Sequence, residues 1–349
     1  MAALLAASMQ TPAADPGPSR YWAPFSPLPI QYDYVCPAFR GDDLEMWLAC
    51  ERKEDRSQSM LINQPIVDGR TGPASIAFTT SIVTDFPDRA DPSKAATVIR
   101  LARSSLYNYG DRGYVYLATA FAGDPYGAGR HPLLPILFSS PDGRPGTWTY
   151  HGRLSGEPRA FEDKKQVWSD GGGIVPLADG RWRAYVNGYG VTLSACEAPS
   201  LDGPWTFVRD GKKGVRDLGE VLPIKKEMRG GSCFPFALKV SDGEYHLWIS
   251  DQWEPTAVWH LTSEDGLDFQ MYGRQPEITR ADSGGAAIKG IRACVSPDGT
   301  AIHGWIPFLQ DGRWVIHQST MPVGLQPAGA TPTARPGLPP RLAPGPRRP

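Results

Sequence analysis

The sequence predicts an all-β protein, and more specifically a five-bladed β-propeller. The first observation is composition: 349 residues include 38 glycines and 35 prolines, and 10% are aromatic, which favours many short strands and turns over long helices. The second is a β-hairpin outline, in which an apolar strand, a turn containing Asp and Gly, and an alternating strand follow one another. The third is that this outline occurs five times, at intervals of roughly 50–70 residues and without a 3.6-residue periodicity.

The clearest hairpin spans residues 168–190, WSDGGGIVPLADGRWRAYVNGYG, and turns at Asp179-Gly180. Four other segments have the same outline: residues 32–53 turning at Gly41-Asp42, 100–121 at Gly110-Asp111, 230–253 at Asp242-Gly243, and 290–306 at Asp298-Gly299. A further hairpin at Gln310-Asp311-Gly312 is expected to lead into residues 313–319 and to finish the fifth module.

A second turn signal lies between the hairpins. It occurs in SSPDGRPGTWTY (139–150), APSLDGPWTFV (198–208) and TSEDGLDFQMY (262–272), each with a Ser/Asp/Gly turn followed by an aromatic residue. Such segments are typical of the outer strands of a repeated unit. Five hairpins with outer strands predict five blades, and a β-sandwich with coincidental Asp-Gly turns is the alternative fold.

The propeller is expected to be a single domain over residues 21–325. Residues 1–20 are predicted to be a disordered lead, and the Pro/Arg-rich residues 326–349 a disordered tail. The formal net charge of −1 argues against a nucleic-acid partner, and no apolar run approaches the ~20 residues that span a bilayer. The N-terminus is a weak secretion signal because no basic residue precedes its Ala/Leu patch, so a cytoplasmic location is favoured and secretion stays open. The oligomeric state is left open.

Cysteine and histidine patterns predict neither disulfides nor metal. The five cysteines, at positions 36, 50, 196, 233 and 294, are dispersed, which favours reduced buried thiols. The six histidines show no HxH or HExxH spacing. No P-loop or GxGxxG fingerprint occurs, so no cofactor is expected.

The modules resemble a known group of proteins. An acidic strand start, an apolar-Pro step, a DG turn and an aromatic-rich strand resemble the five-bladed propellers of glycoside hydrolase family 43, whose architecture the invertase, levansucrase and mannoside phosphorylase families share. The phrases SLDGPWTF and SEDGLDF resemble the outer-strand turns of those families, and the resemblance covers roughly residues 25–322. It implies an active site at one end of the axis with three carboxylates: a base on blade one, an orienting Asp on blade three and a general acid, usually Glu, on blade four.

Asp33 and Asp170 match the base and the orienting positions. Asp33 precedes the turn residue Asp42 by nine residues, and Asp170 precedes Asp179 by the same nine, so both are expected to face one cavity. On blade four the same offset reaches Cys233, where the family would have Glu. Glu227, upstream of it, is therefore the provisional acid. The structural alternatives are a turn cap for Asp33, a turn former for Asp170, a solvated loop charge for Glu227 and a small buried thiol for Cys233.

Further residues are expected to bind the substrate. They are Arg103, Trp168, Arg229, Cys233 and Arg292, and Tyr189, Trp253 and Trp22 are additional candidates for stacking on a sugar ring. Any one arginine fits a structural ion pair. Three of them near strand starts predict a cavity that grips carboxylate or phosphate groups, which favours an acidic or uronate-like ligand over a neutral sugar.

The leading hypothesis is therefore a glycosidase that acts on a small-molecule or oligosaccharide substrate, either a sugar or a uronate-like glycoside, in the central cavity. One alternative keeps the scaffold and cavity but performs lyase, cyclase or transferase chemistry on another small molecule. The other is a sugar-binding propeller without catalytic activity.

Overall fold

The computed structural model describes residues 22–28, 35–51, 58–67, 70–86, 93–122, 133–154, 156–157, 169–188, 192–208, 220–223, 233–250, 257–273, 276–285 and 287–324. The secondary structure in these ranges consists of β-strands with short 3₁₀ turns at Thr80–Ile82, Gly110–Arg112 and Arg280–Ser283. The all-β prediction is confirmed. None of the helical segments in the described ranges has the length and apolar character needed to span a membrane. The domain limits at residues 21 and 325 lie outside these ranges and stay a prediction.

Five sheets account for all strands in the described ranges. The first strand, β1 (Ser26–Pro27), belongs to the last sheet. Blade one contains β2 (Val35–Arg40), β3 (Asp43–Glu51), β4 (Ser59–Val67), β5 (Arg70–Thr71) and β6 (Ser75–Thr79). Blade two contains β7 (Val98–Asn108), β8 (Tyr114–Ala122), β9 (Leu133–Ser140) and β10 (Thr149–Arg153).

The remaining blades have the same plan. Blade three contains β11 (Gly156–Glu157), β12 (Ser169–Pro176), β13 (Trp182–Gly188), β14 (Thr192–Ala198), β15 (Trp205–Phe207) and β16 (Glu220–Pro223). Blade four contains β17 (Cys233–Ser241), β18 (Glu244–Ser250), β19 (Ala257–Ser263), β20 (Gln270–Met271) and β21 (Ile278–Thr279). Blade five contains β22 (Arg292–Val295), β23 (Ala301–Gln310), β24 (Arg313–Pro322) and β1.

The innermost strands form a closed ring. Strand β2 contacts β7, β7 contacts β12, β12 contacts β17, β17 contacts β22, and β22 contacts β2 again. Two stacked sheets would not give this cyclic order, so the five-bladed propeller is confirmed and the β-sandwich alternative is excluded. The start of each inner strand faces the same end of the axis, because successive inner strands are connected by complete blades.

The N-terminal segment closes the ring by completing blade five. Ser26 and Pro27 pair with Gln318 and His317 of β24, and the amide of Ala23 donates to the carbonyl of Thr320 at 2.9 Å. Trp22 is only 5% exposed and its ring lies 6.2 Å from that of Trp248 in blade four. The expectation that Trp22 stacks on a sugar ring is therefore wrong, because its indole is used to fill the contact between two blades.

The predicted turns occur where the Asp and Gly residues lie. Arg40 pairs with Asp43 across Gly41-Asp42, and Gln310 pairs with Arg313 across Asp311-Gly312. In the latter turn both residues have positive φ, 49° for Asp311 and 73° for Gly312, which is the backbone that a two-residue hairpin loop requires. The hairpin expected to finish the fifth module is confirmed.

Apolar residues of all five blades form the core. Aromatic rings fill the spaces between blades, as where Trp47 of blade one meets Tyr114 at 5.3 Å and Trp148 at 5.6 Å in blade two. Three cysteines have described side chains, Cys36, Cys196 and Cys294, and all three are free thiols. Burial raises the pKa of Cys196 to about 12, so this thiol stays protonated and packs as a small apolar group.

Candidate active site

The structure describes part of the predicted site. Arg103 lies within β7 and Arg292 begins β22, and both side chains are described. Asp170 and Cys233 have described backbone positions in β12 and β17, while their side chains lie outside the described set. Six predicted residues lie entirely outside the described residues: Asp33, Trp168, Tyr189, Glu227, Arg229 and Trp253. The roles predicted for these six, and for the Asp170 carboxylate, stay predictions.

Three neighbouring inner strands carry irregularities near their cavity ends. The register shifts between Ala102 and Ser105 in β7, between Gly171 and Gly173 in β12, and between Cys233 and Phe236 in β17. Each shift inserts one extra residue into the inner strand and interrupts its pairing locally. Because bulges are enriched at barrel rims and beside active sites, their shared position marks this end of the axis as the candidate site.

Two of these irregularities hold a residue in the left-handed region of backbone space. Arg103 and Phe234 both have φ of 50°, a conformation that costs about 1–3 kcal/mol for a residue other than glycine. The strain has a visible result: the Arg103 guanidinium lies over the Phe234 ring, 5.9 Å from its centroid, so blades two and four meet at the axis. Gly290 allows this arrangement, since a Cβ there would lie 2.4 Å from the Cβ of Phe234.

Arg292 reaches from blade five across the axis. Its Nε donates to the carbonyl of Ser104 in blade two at 2.6 Å, and its Nη1 donates to the carbonyl of Ile291 at 2.8 Å. The guanidinium carbon lies 5.4 Å from the centre of the Phe236 ring. The thiol of Cys36, from blade one, donates to the same Ser104 carbonyl at 3.3 Å. One carbonyl therefore joins three blades at the floor of the site.

A cavity opens above this floor. Among the described residues it is small, with room for about one water molecule, and its walls are Val35, Phe234, Lys289, Gly290, Arg292, Trp305 and Pro307. Arg292 is only 5% exposed, and none of the described carboxylates forms an ion pair with it. This position suits a negative group, which either a carboxylate outside the described residues or a ligand in the cavity would supply.

The axis is filled on the far side of Arg292. Tyr107 stacks on Phe236 at 5.6 Å and donates its hydroxyl to the carbonyl of Ala237 in blade four at 2.5 Å. Burial raises the pKa of the Tyr107 hydroxyl, which keeps it a neutral donor. Two residues further along the chain, Tyr109 donates its hydroxyl to the carbonyl of Ile174 in blade three. A ligand at the axis therefore enters from the cavity end.

The backbone of Asp170 lies at the cavity end of blade three. It pairs with Asn187, and two residues later Gly172 packs against Pro235, where a Cβ would lie 3.1 Å from the proline Cγ. The strand start that carries Asp170 is thus beside the start of β17. At that start, blade four has Cys233 and Phe234 where the family pattern has its acid.

Ser104, Phe234 and Lys289 belong to this site and were not predicted from sequence. Ser104 contributes its backbone carbonyl. Every residue type has this group, so the sequence does not indicate the role. Phe234 follows the predicted Cys233, but its positive φ is a property of the bulge and not of the residue. Lys289 lies beside Gly290, just before Arg292 at the start of the last hairpin module, and this place was the signal available.

Comparisons with solved structures agree with this architecture. The chain is similar to a thermostable family 43 glycoside hydrolase, with a TM-score of 0.55 and 13% identity over 93% of this chain and 100% of that one. It is similar to a glycosyl hydrolase from Bacteroides ovatus, with a TM-score of 0.55 and 12% identity over 87% of this chain and 90% of the other. A structure from the family 130 mannoside phosphorylases, which include glycoside hydrolases acting on β-1,2-mannosidic linkages, has a TM-score of 0.53 and 12% identity over 89% and 92% of the two chains.

No protein-family model matches the chain, and no curated protein matches its sequence. At 12–13% identity the structural likeness shows the fold alone. The chain shares the five-bladed propeller of family 43 glycoside hydrolases and related families.

Proposed function

We propose that the protein is a carbohydrate-active enzyme, a glycosidase that cleaves a uronate-like glycoside in the axial cavity. Asp33 is the base on blade one, Asp170 the orienting carboxylate on blade three, and Glu227 the general acid supplied by the loop before blade four. Arg292 binds the acidic group of the substrate. Phe234 forms another part of the wall, with the Arg103 guanidinium over its ring, while Trp168, Arg229 and Cys233 are proposed as further contacts.

The observation that carries this proposal is the position of Arg292. Its guanidinium lines the cavity, is almost fully buried and has two nitrogens fixed by backbone carbonyls. A guanidinium held in this way is pre-organised for a carboxylate, and its orientation requires no side-chain ordering upon binding. Lys289 adds a second cation to the same wall, with its ammonium 4.2 Å above the Trp314 ring.

The proposed chemistry needs one acid and one base on opposite sides of the scissile bond. Glu227 donates a proton to the leaving oxygen, and Asp33 removes a proton from the attacking water or attacks the anomeric carbon itself. Carboxyl groups about 5–5.5 Å apart lead to retention, and groups about 6.5–9.5 Å apart lead to inversion. Asp170 holds the sugar and keeps the acid protonated through its negative charge.

A second candidate follows from the start of blade four. Cys233 and Phe234 occupy the place of the expected acid, and the Phe234 side chain is buried against Gly290. A propeller without that acid retains the cationic cavity but not hydrolysis by two carboxyls. It would then perform lyase, cyclase or transferase chemistry on another acidic small molecule, or bind an acidic sugar without changing it.

The test is incubation with aryl glycosides and uronic-acid oligosaccharides, followed by product mass. The glycosidase is expected to release product from uronic-acid substrates, and Asp33→Asn is expected to lower the rate by at least about 10²-fold. Asp42→Asn is the matched control because Asp42 lies in the hairpin turn of the same blade, so it should retain the wild-type rate. A silent panel with uronate binding intact contradicts the glycosidase and favours the second candidate.

A further inference from the structure

A serine, a histidine and an aspartate form a hydrogen-bonded chain far from the axis. Ser139 lies near the end of β9, His151 lies in the bulge of β10, and Asp202 lies in the turn between β14 and β15 of the next blade. The hydroxyl oxygen of Ser139 is 2.6 Å from Nε2 of His151. The other ring nitrogen, Nδ1, is 2.7 Å from Oδ1 of Asp202.

The aspartate fixes the tautomer of the histidine. A carboxylate oxygen only accepts, so Nδ1 of His151 carries the hydrogen that is donated to Asp202. Nε2 then presents its lone pair to Ser139, and the serine hydroxyl donates to it. A nucleophile in hydrogen-bond contact with a base, whose orientation a third group fixes, is the arrangement that activates a serine for acyl transfer.

The turn that carries Asp202 differs from two sister turns in the same protein. Among the outer-strand turns, the motif Ser-x-Asp-Gly also occurs at residues 140–143 and 263–266; a fourth copy, at 296–299, is an inner hairpin turn in which Asp298 accepts from the amide of Thr300 at 3.0 Å. There the aspartates bind their own turns: Asp142 accepts from the amide of Arg144 at 3.0 Å, and Asp265 accepts from the amide of Leu267 at 2.8 Å. In each case the donor is the amide two residues after the aspartate.

Pro204 removes that donor from the third turn. It lies two residues after Asp202 and has no N–H, so the carboxylate cannot bind its own turn in the same way. Among the described residues, no backbone amide donates to Asp202, and its carboxylate instead reaches His151 across the gap between blades two and three. Of the four Ser-x-Asp-Gly aspartates, Asp202 is therefore the one whose carboxylate is available to orient a histidine.

The serine is accessible and has a hydroxyl group beside it. Ser139 is half-buried, and its cross-strand partner Thr149 is exposed on the same face of the sheet. Cβ atoms of such partners are about 4.5–5.5 Å apart, so the Thr149 hydroxyl can donate to an oxygen held next to Ser139. The side chain of His151 is 11% exposed and that of Asp202 is 76% exposed, which leaves the edge of the site open to solvent.

We propose that Ser139, His151 and Asp202 form a second catalytic site, which hydrolyses short-chain carboxylic esters. The position at the outer edge of the blade admits a small acyl group beside Thr149, while the alcohol part of the ester extends into solvent. The site is separate from the axial cavity and does not depend on the function proposed there.

The reaction has two halves, and each returns its proton. Ser139 Oγ forms a bond to the ester carbonyl carbon while its proton moves to Nε2 of His151, and Thr149 donates to the oxyanion. The bond to the alkoxide breaks, and the alkoxide leaves with the proton from Nε2. Water then attacks the acyl-serine and gives one proton to Nε2. The carboxylic acid departs as that proton returns to Ser139.

The experiment combines a serine-directed fluorophosphonate with hydrolysis of p-nitrophenyl acetate by the full-length protein. The expected result is one covalent adduct located on Ser139 by peptide mass, together with ester hydrolysis above the uncatalysed rate. Ser139→Ala is expected to remove the adduct and the hydrolysis. His151→Gln is expected to slow labelling by at least about 10²-fold, because the general base is lost.

Asp265→Asn is the matched control, since Asp265 holds the same place in a sister turn, where its carboxylate accepts from the amides of its own turn. It should label at the wild-type rate, whereas Asp202→Asn should label at least about tenfold more slowly. Melting temperatures establish that each variant is folded. Folded wild-type protein without an adduct on Ser139, or labelling that His151→Gln leaves unchanged, overturns the proposal.

Discussion

The guanidinium of Arg292 donates to the carbonyl of Ser104 across the axis, at 2.6 Å. These residues belong to blades five and two, which are not neighbours in the ring. The same side chain forms the floor of the cavity. Arg292 therefore joins two blades and is also the residue on which the proposed ligand binding depends, so its substitutions test both.

Arg292→Met should destabilise the protein. The methionine fills much of the same volume but leaves the Ser104 carbonyl without its charged donor, which is expected to lower the free energy of unfolding by about 1.5–3 kcal/mol. Urea denaturation measures this. Arg112→Met is the control, because Arg112 is exposed and lies over Trp182 at the outside of the hairpin turn. Equal stability of both variants would show that the contact with Ser104 is not stabilising.

Gly173→Ala should destabilise the protein, because the added Cβ crowds the residues packed at the axis. Gly173 has φ of 144°, and a Cβ there would lie 2.6 Å from the Tyr107 hydroxyl and 3.0 Å from Cβ of Ala237. Strain and overpacking together are expected to cost about 2–4 kcal/mol. Tyr107→Phe removes the hydroxyl and should recover part of that loss in the double variant, although alone it costs about 1 kcal/mol through its bond to Ala237. Additive losses in the double variant would contradict the described contact.

The fold was predictable from sequence to the level of the blades. The Asp-Gly turns and alternating strands placed the five inner hairpins, because turn chemistry and side-chain alternation are local properties. The closure by β1 was not predicted, since the two residues Ser26 and Pro27 carry no periodicity. The bulges at Arg103 and Phe234 were also missed, because a positive φ outside glycine is imposed by neighbouring blades.

The site residues stay predictions, since most of them lie outside the described residues. Arg292 lines the cavity, but the backbone acceptor Ser104 gave no signal that a residue type can provide. The hydrogen-bonded set of Ser139, His151 and Asp202 is spread over two blades and matches no short motif. Pro204 in the SLDGP turn was the available clue, because the two sister turns have a residue with an amide at that place.

Stability should fall as the pH drops below neutral. Burial lowers the pKa of His246, His303 and His317 in the folded protein. The unfolded chain therefore binds more protons than the folded one as the pH falls through the ordinary value of about 6.5 towards the lowered folded values. The contribution of these histidines to the free energy of unfolding is complete above this pH window. It is lost within the window, by at most about 1.4 kcal/mol per pH unit for each histidine.

His317→Phe tests this pH dependence at one ring. His317 is buried against Phe308 at 4.5 Å, and neither ring nitrogen has a hydrogen-bond partner among the described residues. Phenylalanine keeps the ring and removes the titration, so the slope of unfolding free energy between pH 7 and 5 should become shallower. An unchanged slope would show that His317 does not contribute to it.

The part of the N-terminal segment that stabilises the fold should begin at Trp22. Trp22→Ala removes an indole that packs against Gly304 and Trp248, and it is expected to cost about 3–5 kcal/mol. Deletion of residues 1–20, which keeps Trp22 and β1, should leave the melting temperature unchanged. A large loss upon that deletion would place the predicted start of the propeller too late in the chain.

The central claim is that the axial cavity holds an acidic sugar on Arg292. Isothermal titration of a uronic-acid disaccharide and its neutral counterpart, with wild type and Arg292→Lys, tests it most directly. Lysine keeps the charge but loses the fixed, bidentate geometry of the guanidinium. The wild type is expected to bind the acidic sugar at least about tenfold more tightly than the neutral one, a difference of about 1.4 kcal/mol, and Arg292→Lys should lose most of that preference. Equal affinity of the wild type for both sugars, or a preference that Arg292→Lys retains in full, would contradict the claim.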